Sequence, residues 1–279
     1  MMLVDMKGIL SGMEEKHTAV GSFNAPNLET VLGVVEAAER VGCPVILMHA
    51  QVHEALIPLE TIAPILLHAA KQAAVPVCVH LDHGETLEYI QKAIDLGFTS
   101  VMYDGSRLPY EENLARTKKV AGVAHAAGVS LEAELGVIAR DTEEPIGRCT
   151  DPEAAAAFAE AVPLEALACA FGTAHGIYKD PPKLDFLRLE DIHAKTTVPL
   201  VMHGGSGISF DDYRHAIQCG IRKINYYTYM AKAAGEAVRE CLAKTEGVAY
   251  YHEVVSWGRT AISAHVEKVL RAFNEKAEQ

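Results

Sequence analysis

The chain has 279 residues with 25 basic and 37 acidic side chains, a net charge of −12, and no long basic tract. It therefore offers nothing to neutralise a run of phosphates, which argues against generic nucleic-acid binding, and no stretch approaches the roughly 18 consecutive apolar residues of a membrane span. The start, Met1-Met2-Leu3-Val4-Asp5-Met6, carries an early acid and no basic lead into an apolar stretch, so it does not read as a signal peptide and a cytoplasmic location is expected. Six scattered cysteines without a C-x-x-C pair read as reduced, mostly buried small hydrophobes.

Along the chain, β-type apolar runs alternate with helical patterns. Strands are predicted at 19–24, 44–48, 75–81, 100–104, 130–135, 166–171, 199–203 and 222–225. Helices are predicted between them at 29–41, 59–73, 85–96, 110–127, 152–161, 186–194, 210–219 and 229–242. Eight strand–helix repeats imply an α/β fold, a closed (β/α)8 TIM barrel, with added helices at 3–15 and 259–278. No linker or low-complexity segment divides the sequence, so residues 1–279 are expected to form one domain. An open doubly wound sheet is disfavoured because the first βα turn, Asn24-Ala25-Pro26-Asn27, is not glycine-rich.

In such barrels chemistry gathers at the C-terminal ends of the strands. The third strand runs into His80-Leu81-Asp82-His83-Gly84; alone, that cluster fits a hydrogen-bonded loop as well as a metal site. Other strand ends bring Asn24, Asp104, Glu134, His175 and His203. Three imidazoles, His83, His175 and His203, delivered by different strands suit a catalytic zinc ion with an open coordination position. His80 is left between supporting that site and a core hydrogen bond, and His49 and His53, just after the second strand, are ambiguous. His203-Gly204-Gly205-Ser206-Gly207, followed by Asn225-x-x-Thr228 at the last strand, reads as a phosphate cradle, since glycines let backbone N–H groups approach an anion. The alternative is a tight turn capping the next helix. The longest irregular stretch, 136–149, reads as a binding loop or as a merely solvated one.

Taken together, Phe23-Asn24-x-x-Asn27, His80-Leu81-Asp82-His83-Gly84, Asp104-Gly105-Ser106, Glu132-Ala133-Glu134-Leu135-Gly136, Gly172-Thr173-Ala174-His175-Gly176-x-Tyr178, His203-Gly204-Gly205-Ser206-Gly207 and Asn225-x-x-Thr228 make the chain resemble the class II, metal-dependent fructose-bisphosphate aldolase family, on the side of its tagatose-bisphosphate-aldolase-like branch. The resemblance implies a lyase that reversibly splits a ketose phosphate into dihydroxyacetone phosphate and an aldehyde, with Zn2+ on His83, His175 and His203. It also implies that Asp82 carries the proton at the oxygen of the breaking bond, that Asp104 and Glu134 form an alternative metal position, and that Gly176, Gly204, Ser206, Asn225 and Thr228 surround the phosphate-bearing half of the substrate, with Asn24 beside them. A monovalent cation (Na+ or K+) near the phosphate and a homodimer or homotetramer belong to the same expectation. Two departures stand out. Where the family has a glycine-rich acidic loop after Glu134-Leu135-Gly136, this chain has Val137-Ile138-Ala139-Arg140-Asp141-Thr142-Glu143-Glu144, so Glu143 or Glu144 would have to move the C3 proton. The last strand, Asn225-Tyr226-Tyr227-Thr228-Tyr229, is unusually aromatic, which leaves the aldehyde end open. A Schiff-base aldolase is disfavoured because Lys223 falls near the start of its strand and Lys179 in a loop. A noncatalytic, sugar-phosphate-sensing companion subunit is the alternative from another class, and the intact set of three histidines with Asp82 argues against it.

Overall fold

Strand residues alternate in environment, as a pleated backbone requires. In the computed structural model, which describes residues 2–139 and 148–274, nine parallel strands form one sheet: β1 (Leu3–Val4), β2 (Val20–Asn24), β3 (Val45–Ala50), β4 (Val77–Gly84), β5 (Ser100–Tyr103), β6 (Ser130–Leu135), β7 (Ala166–Cys169), β8 (Leu200–Met202) and β9 (Ile221–Tyr226). Strands β2 to β9 pair in succession and β9 pairs back onto β2, Val20 opposite Lys223 and Ser22 opposite Asn225. The sheet is thus a closed eight-stranded (β/α)8 barrel. Outward residues such as Val79, Leu81, Leu131, Ala133 and Ile224 join the helices in one continuous apolar layer. Each fully buried aliphatic side chain there contributes about 1.5–3 kcal/mol.

The predicted N-terminal helix at 3–15 is corrected to three short pieces. Leu3 and Val4 pair with Val77 and Cys78 of β4, filling the edge of β4 that lies below the start of β5. Asp5 then caps helix Met6–Leu10 by accepting from Gly8 N at 2.7 Å, and Gly12, at φ 76°, separates it from helix Met13–Lys16. Met6, Ile9, Leu10 and Met13 pack on Val20, Ile46, Cys78, Ala166 and Val201, closing the N-terminal end of the barrel. At the other terminus helix Tyr251–Asn274 starts eight residues before the predicted 259. It lies against helix Leu28–Val41, where Arg259 Nε meets Glu36 at 3.2 Å and Arg40 Nε meets Glu267 at 2.8 Å.

Candidate active site

The inward residues of the barrel change character with height. On β6, Ser130 accepts from Lys7 N near the closed end, Glu132 is fully buried midway, and Glu134 reaches the open mouth. On β4 the series is Cys78, His80, Asp82. Strict alternation would turn the next residue, His83, away from Asp82. The pairing of β4 with β5 is irregular between Leu81 and Gly84, and His83 adopts φ 50°, a left-handed conformation uncommon outside glycine. This bulge turns His83 to the mouth as well, so two consecutive residues serve one site.

The structure brings His83, His175 and His203 together, with ligand atoms within 4.8 Å of one another. His83 Nδ1 lies 2.8 Å from Asp104 Oδ2, and His203 Nε2 lies 2.9 Å from Glu132 Oε1. Carboxylates only accept, so each histidine gives its proton on that side. The remaining nitrogens, His83 Nε2 and His203 Nδ1, then face each other at 3.0 Å. Two imidazole lone pairs so close need a cation between them. In the protein alone a proton fills the need: burial opposes charge on His83, but Asp82 and the Asp104 hydrogen bond push its pKa up to about 10. His175, buried and beside those two imidazoles, is held neutral, its pKa lowered to about 3. Donor set and charge therefore fit a divalent metal ion.

Asp82 is held by two amides. Asn24 Nδ2 donates to Oδ2 at 2.8 Å and Asn225 Nδ2 to Oδ1 at 3.1 Å. Burial works against its ionisation, yet the charges of His83 and Lys223, with the Asn24 hydrogen bond, hold the carboxyl well below the usual carboxylate range. His83, Asp104 and Glu134 also converge, their potential ligand atoms within 4.8 Å of one another. Burial, reinforced by Asp104, pushes Glu134 up to about 8. Asn24 Oδ1, Glu134 Oε2 and Thr173 Oγ1 are buried and make no hydrogen bond among the described residues, a cost that a ligand would relieve.

Two cavities meet at the histidines. One, about 300 Å³, is lined by Asn24, Asp82, Gly176, Gly204, Ser206, Asn225 and Thr228, all singled out from sequence. Gly204 has φ 62°, and a Cβ there would stand 2.4 Å from Ala174 O; only glycine lets the two loops approach so closely. Tyr178 OH ties the same loops, accepting from Ala174 N at 2.7 Å and sitting 2.9 Å from Gly204 O, while Ser206 Oγ accepts from Tyr227 N at 2.9 Å. The other cavity, about 410 Å³, is lined by Gln51, Val52, Glu85, Asp104, Ser106, Arg107 and Glu134. Glu143 and Glu144 lie outside the described residues.

The structure also places the residues that the strand tips left open or set aside. His53, from the short 3-10 turn Gln51–His53, lines the first cavity with its ring 5.1 Å from that of Tyr227. His49 is instead fully buried, 3.3 Å from Tyr89 OH. His80 is a core residue, Nδ1 2.8 Å from Ser100 Oγ. Lys223, set aside from its place at the strand start, extends inside the barrel to Asn225 and Glu132. The available signal was a lysine two residues before Asn225 on the same strand, and so on the same inward face. Away from the mouth, Glu190, His215 and Cys219 also converge, but burial pushes the Cys219 thiol up to about 12 and it rests on Glu190 at 3.5 Å.

A closed (β/α)8 barrel whose mouth gathers three histidines, a clamped carboxylate and a glycine-built cavity defines a class of barrel proteins with a polar mouth whose donors could hold a metal ion. The sequence profile described as fructose-bisphosphate aldolase class-II matches residues 4–278. The fructose-bisphosphate aldolase of Geobacillus stearothermophilus is 39% identical, covering 98% of this chain and 97% of its own. The sulfofructosephosphate aldolase of Alkalicoccus urumqiensis is 38% identical over 99% and 98%. The crystal structure of the YdjI aldolase from Escherichia coli K12 superposes with a TM-score of 0.88 at 34% identity, covering 98% and 97%. The chain belongs to the class II fructose-bisphosphate aldolase family, and is an aldehyde-lyase of carbohydrate metabolism.

Proposed function

We propose that the protein is a zinc-dependent ketose-bisphosphate aldolase, cleaving a substrate such as fructose 1,6-bisphosphate or tagatose 1,6-bisphosphate to dihydroxyacetone phosphate and an aldehyde. The observation that carries this reading is the pair of facing imidazole nitrogens beside an ionised, doubly clamped Asp82. His83, His175 and His203 would hold the zinc, which when bound polarises the ketone and favours loss of the adjacent proton. Asp82, kept ionised and oriented by Asn24 and Asn225, takes the hydroxyl proton as the carbon–carbon bond breaks and returns it in condensation. Gly176, Gly204, Ser206 and Thr228 shape the cavity assigned to the phosphate-bearing three-carbon half. Glu143 or Glu144 is assigned the C3 proton, and Asp104 with Glu134 a second resting place for the metal.

The relatives' names pair a bisphosphate with a sulfo-sugar phosphate, so a phosphate is common and the other end varies. The cavity of Gln51, Val52, Ser106 and Arg107 is assigned to that variable aldehyde. A Na+ or K+ ion beside the phosphate, cytoplasmic location and homodimeric or homotetrameric assembly belong to the same proposal. No helix among the described residues is long and apolar enough to cross a membrane. The test is condensation of dihydroxyacetone phosphate with a panel of aldehydes, products identified: one aldehyde class should dominate, activity should vanish on chelation and return with zinc. Full activity after verified metal removal would overturn the reading.

A further inference from the structure

Directly beneath the site, Lys223 Nζ and Glu132 Oε2 form an ion pair at 2.9 Å with both side chains wholly excluded from solvent. Such a pair loses the hydration of both ions, and a well-packed apolar pair is often as stable or more so. Stability alone therefore does not account for it. Each member also makes one contact upward into the site. Lys223 Nζ donates to Asn225 Oδ1 at 2.6 Å. Because an ammonium only donates, this fixes the amide with oxygen down and Nδ2 up, where it donates to Asp82 Oδ1 at 3.1 Å. Glu132 Oε1 takes the proton of His203 Nε2 at 2.9 Å, which leaves His203 Nδ1 unprotonated, its lone pair turned toward His83 with Asn225 Nδ2 3.4 Å away. His80, also beside the pair, pairs Nδ1 with Ser100 Oγ and keeps Nε2 3.7 Å from Glu132 Oε2, so it does not replace Lys223.

We infer that the Lys223–Glu132 pair is a positioning device for the reaction: through Asn225 it sets the orientation of the proton-carrying Asp82, and through His203 it selects the nitrogen offered to the metal. This rests on the aldolase reading above. Neither residue touches substrate; they act through others. An apolar side chain at 223 would leave Asn225 Oδ1 without its donor and the amide held from the Asp82 side alone, loosening the clamp on the carboxylate. A neutral amide at 132 would weaken the basicity of His203.

The test compares Lys223→Met, Glu132→Gln and the double variant, reading zinc affinity by chelator competition, kcat and KM at saturating zinc, and thermal midpoint. Partners that orient metal ligands commonly change affinity or activity about 10–100-fold. Lys223→Met should lose that much in kcat with KM for the ketose phosphate nearly unchanged. Glu132→Gln should lose it in zinc affinity. The double variant, free of a lone buried charge, should regain the wild-type melting temperature while kcat and zinc affinity stay low; it carries the test if a single variant does not fold. A folded double variant with wild-type kcat and zinc affinity would show a structural pair only and overturn the inference. Inactivity of zinc-loaded wild type on every ketose phosphate would instead sink the aldolase reading, while the zinc affinity of Glu132→Gln still decides whether Glu132 tunes His203.

Discussion

At the scale of single residues, His83 combines a backbone cost with an electrostatic one. Its φ of 50° is held by the β4 irregularity, and its ring stands among Asp82, Asp104 and Glu134, whose charges push it up to about 10. A ligand histidine must be neutral, so at pH 8 metal has to expel that proton. The sign follows: metal affinity rises with pH and levels off near 10. Calorimetric zinc titration of the metal-free protein in buffers of different ionisation enthalpy should report release of about one proton; heats independent of buffer would contradict it. Much of this site is legible in the sequence, because barrel topology makes strand tips converge whatever their separation along the chain. His83, His175, His203, Asp82 and Asn225 are found that way. Lys223 is not, because its backbone lies low while its four-carbon stem carries the ammonium up to Asn225. The turn of His83 is hidden too, since a bulge breaks the period-two rule on which the reading depends.

Among the elements, the eight strands of the barrel are visible as apolar runs because both faces of a parallel barrel strand are covered. The N-terminal segment is not: Leu3–Val4 is strand only because β4 has an open edge beneath β5, a tertiary fact that no local propensity encodes. Its apolar pattern, read as one helix, belongs to the plug formed by Met6, Ile9, Leu10 and Met13. Ile9 is 3% exposed, and the plug lies at the end of the barrel opposite the histidines. Ile9→Ala should therefore cost about 2–5 kcal/mol of unfolding free energy and leave kcat intact. Denaturant unfolding and steady-state rates on the same preparation check this; a fall in kcat of the folded variant would mean the plug communicates with the mouth.

Over the whole molecule, closure is what turns scattered motifs into a site. The pairing of β9 with β2 sets Asn225 and Asn24 on either side of Asp82, and buried polar groups bridge the barrel from Lys223 through Glu132 to His203. Strand count announces a barrel, but no local pattern specifies which amide meets which carboxylate across it. In the proposed function the imidazole triad would hold the metal that supports carbanion chemistry at the ketone, while Asp82 would carry the proton at the breaking bond. Solvent-deuterium exchange at C3 of dihydroxyacetone phosphate, set beside ketose-bisphosphate cleavage, separates the two. Zinc-loaded wild type should exchange and cleave, and lose both on chelation. Zinc-loaded Asp82→Ala should keep exchanging while cleavage falls about 10²–10⁴-fold, the usual contribution of an acid/base group. Exchange at full rate in verified metal-free protein, or cleavage by Asp82→Ala at the wild-type rate, would contradict the account.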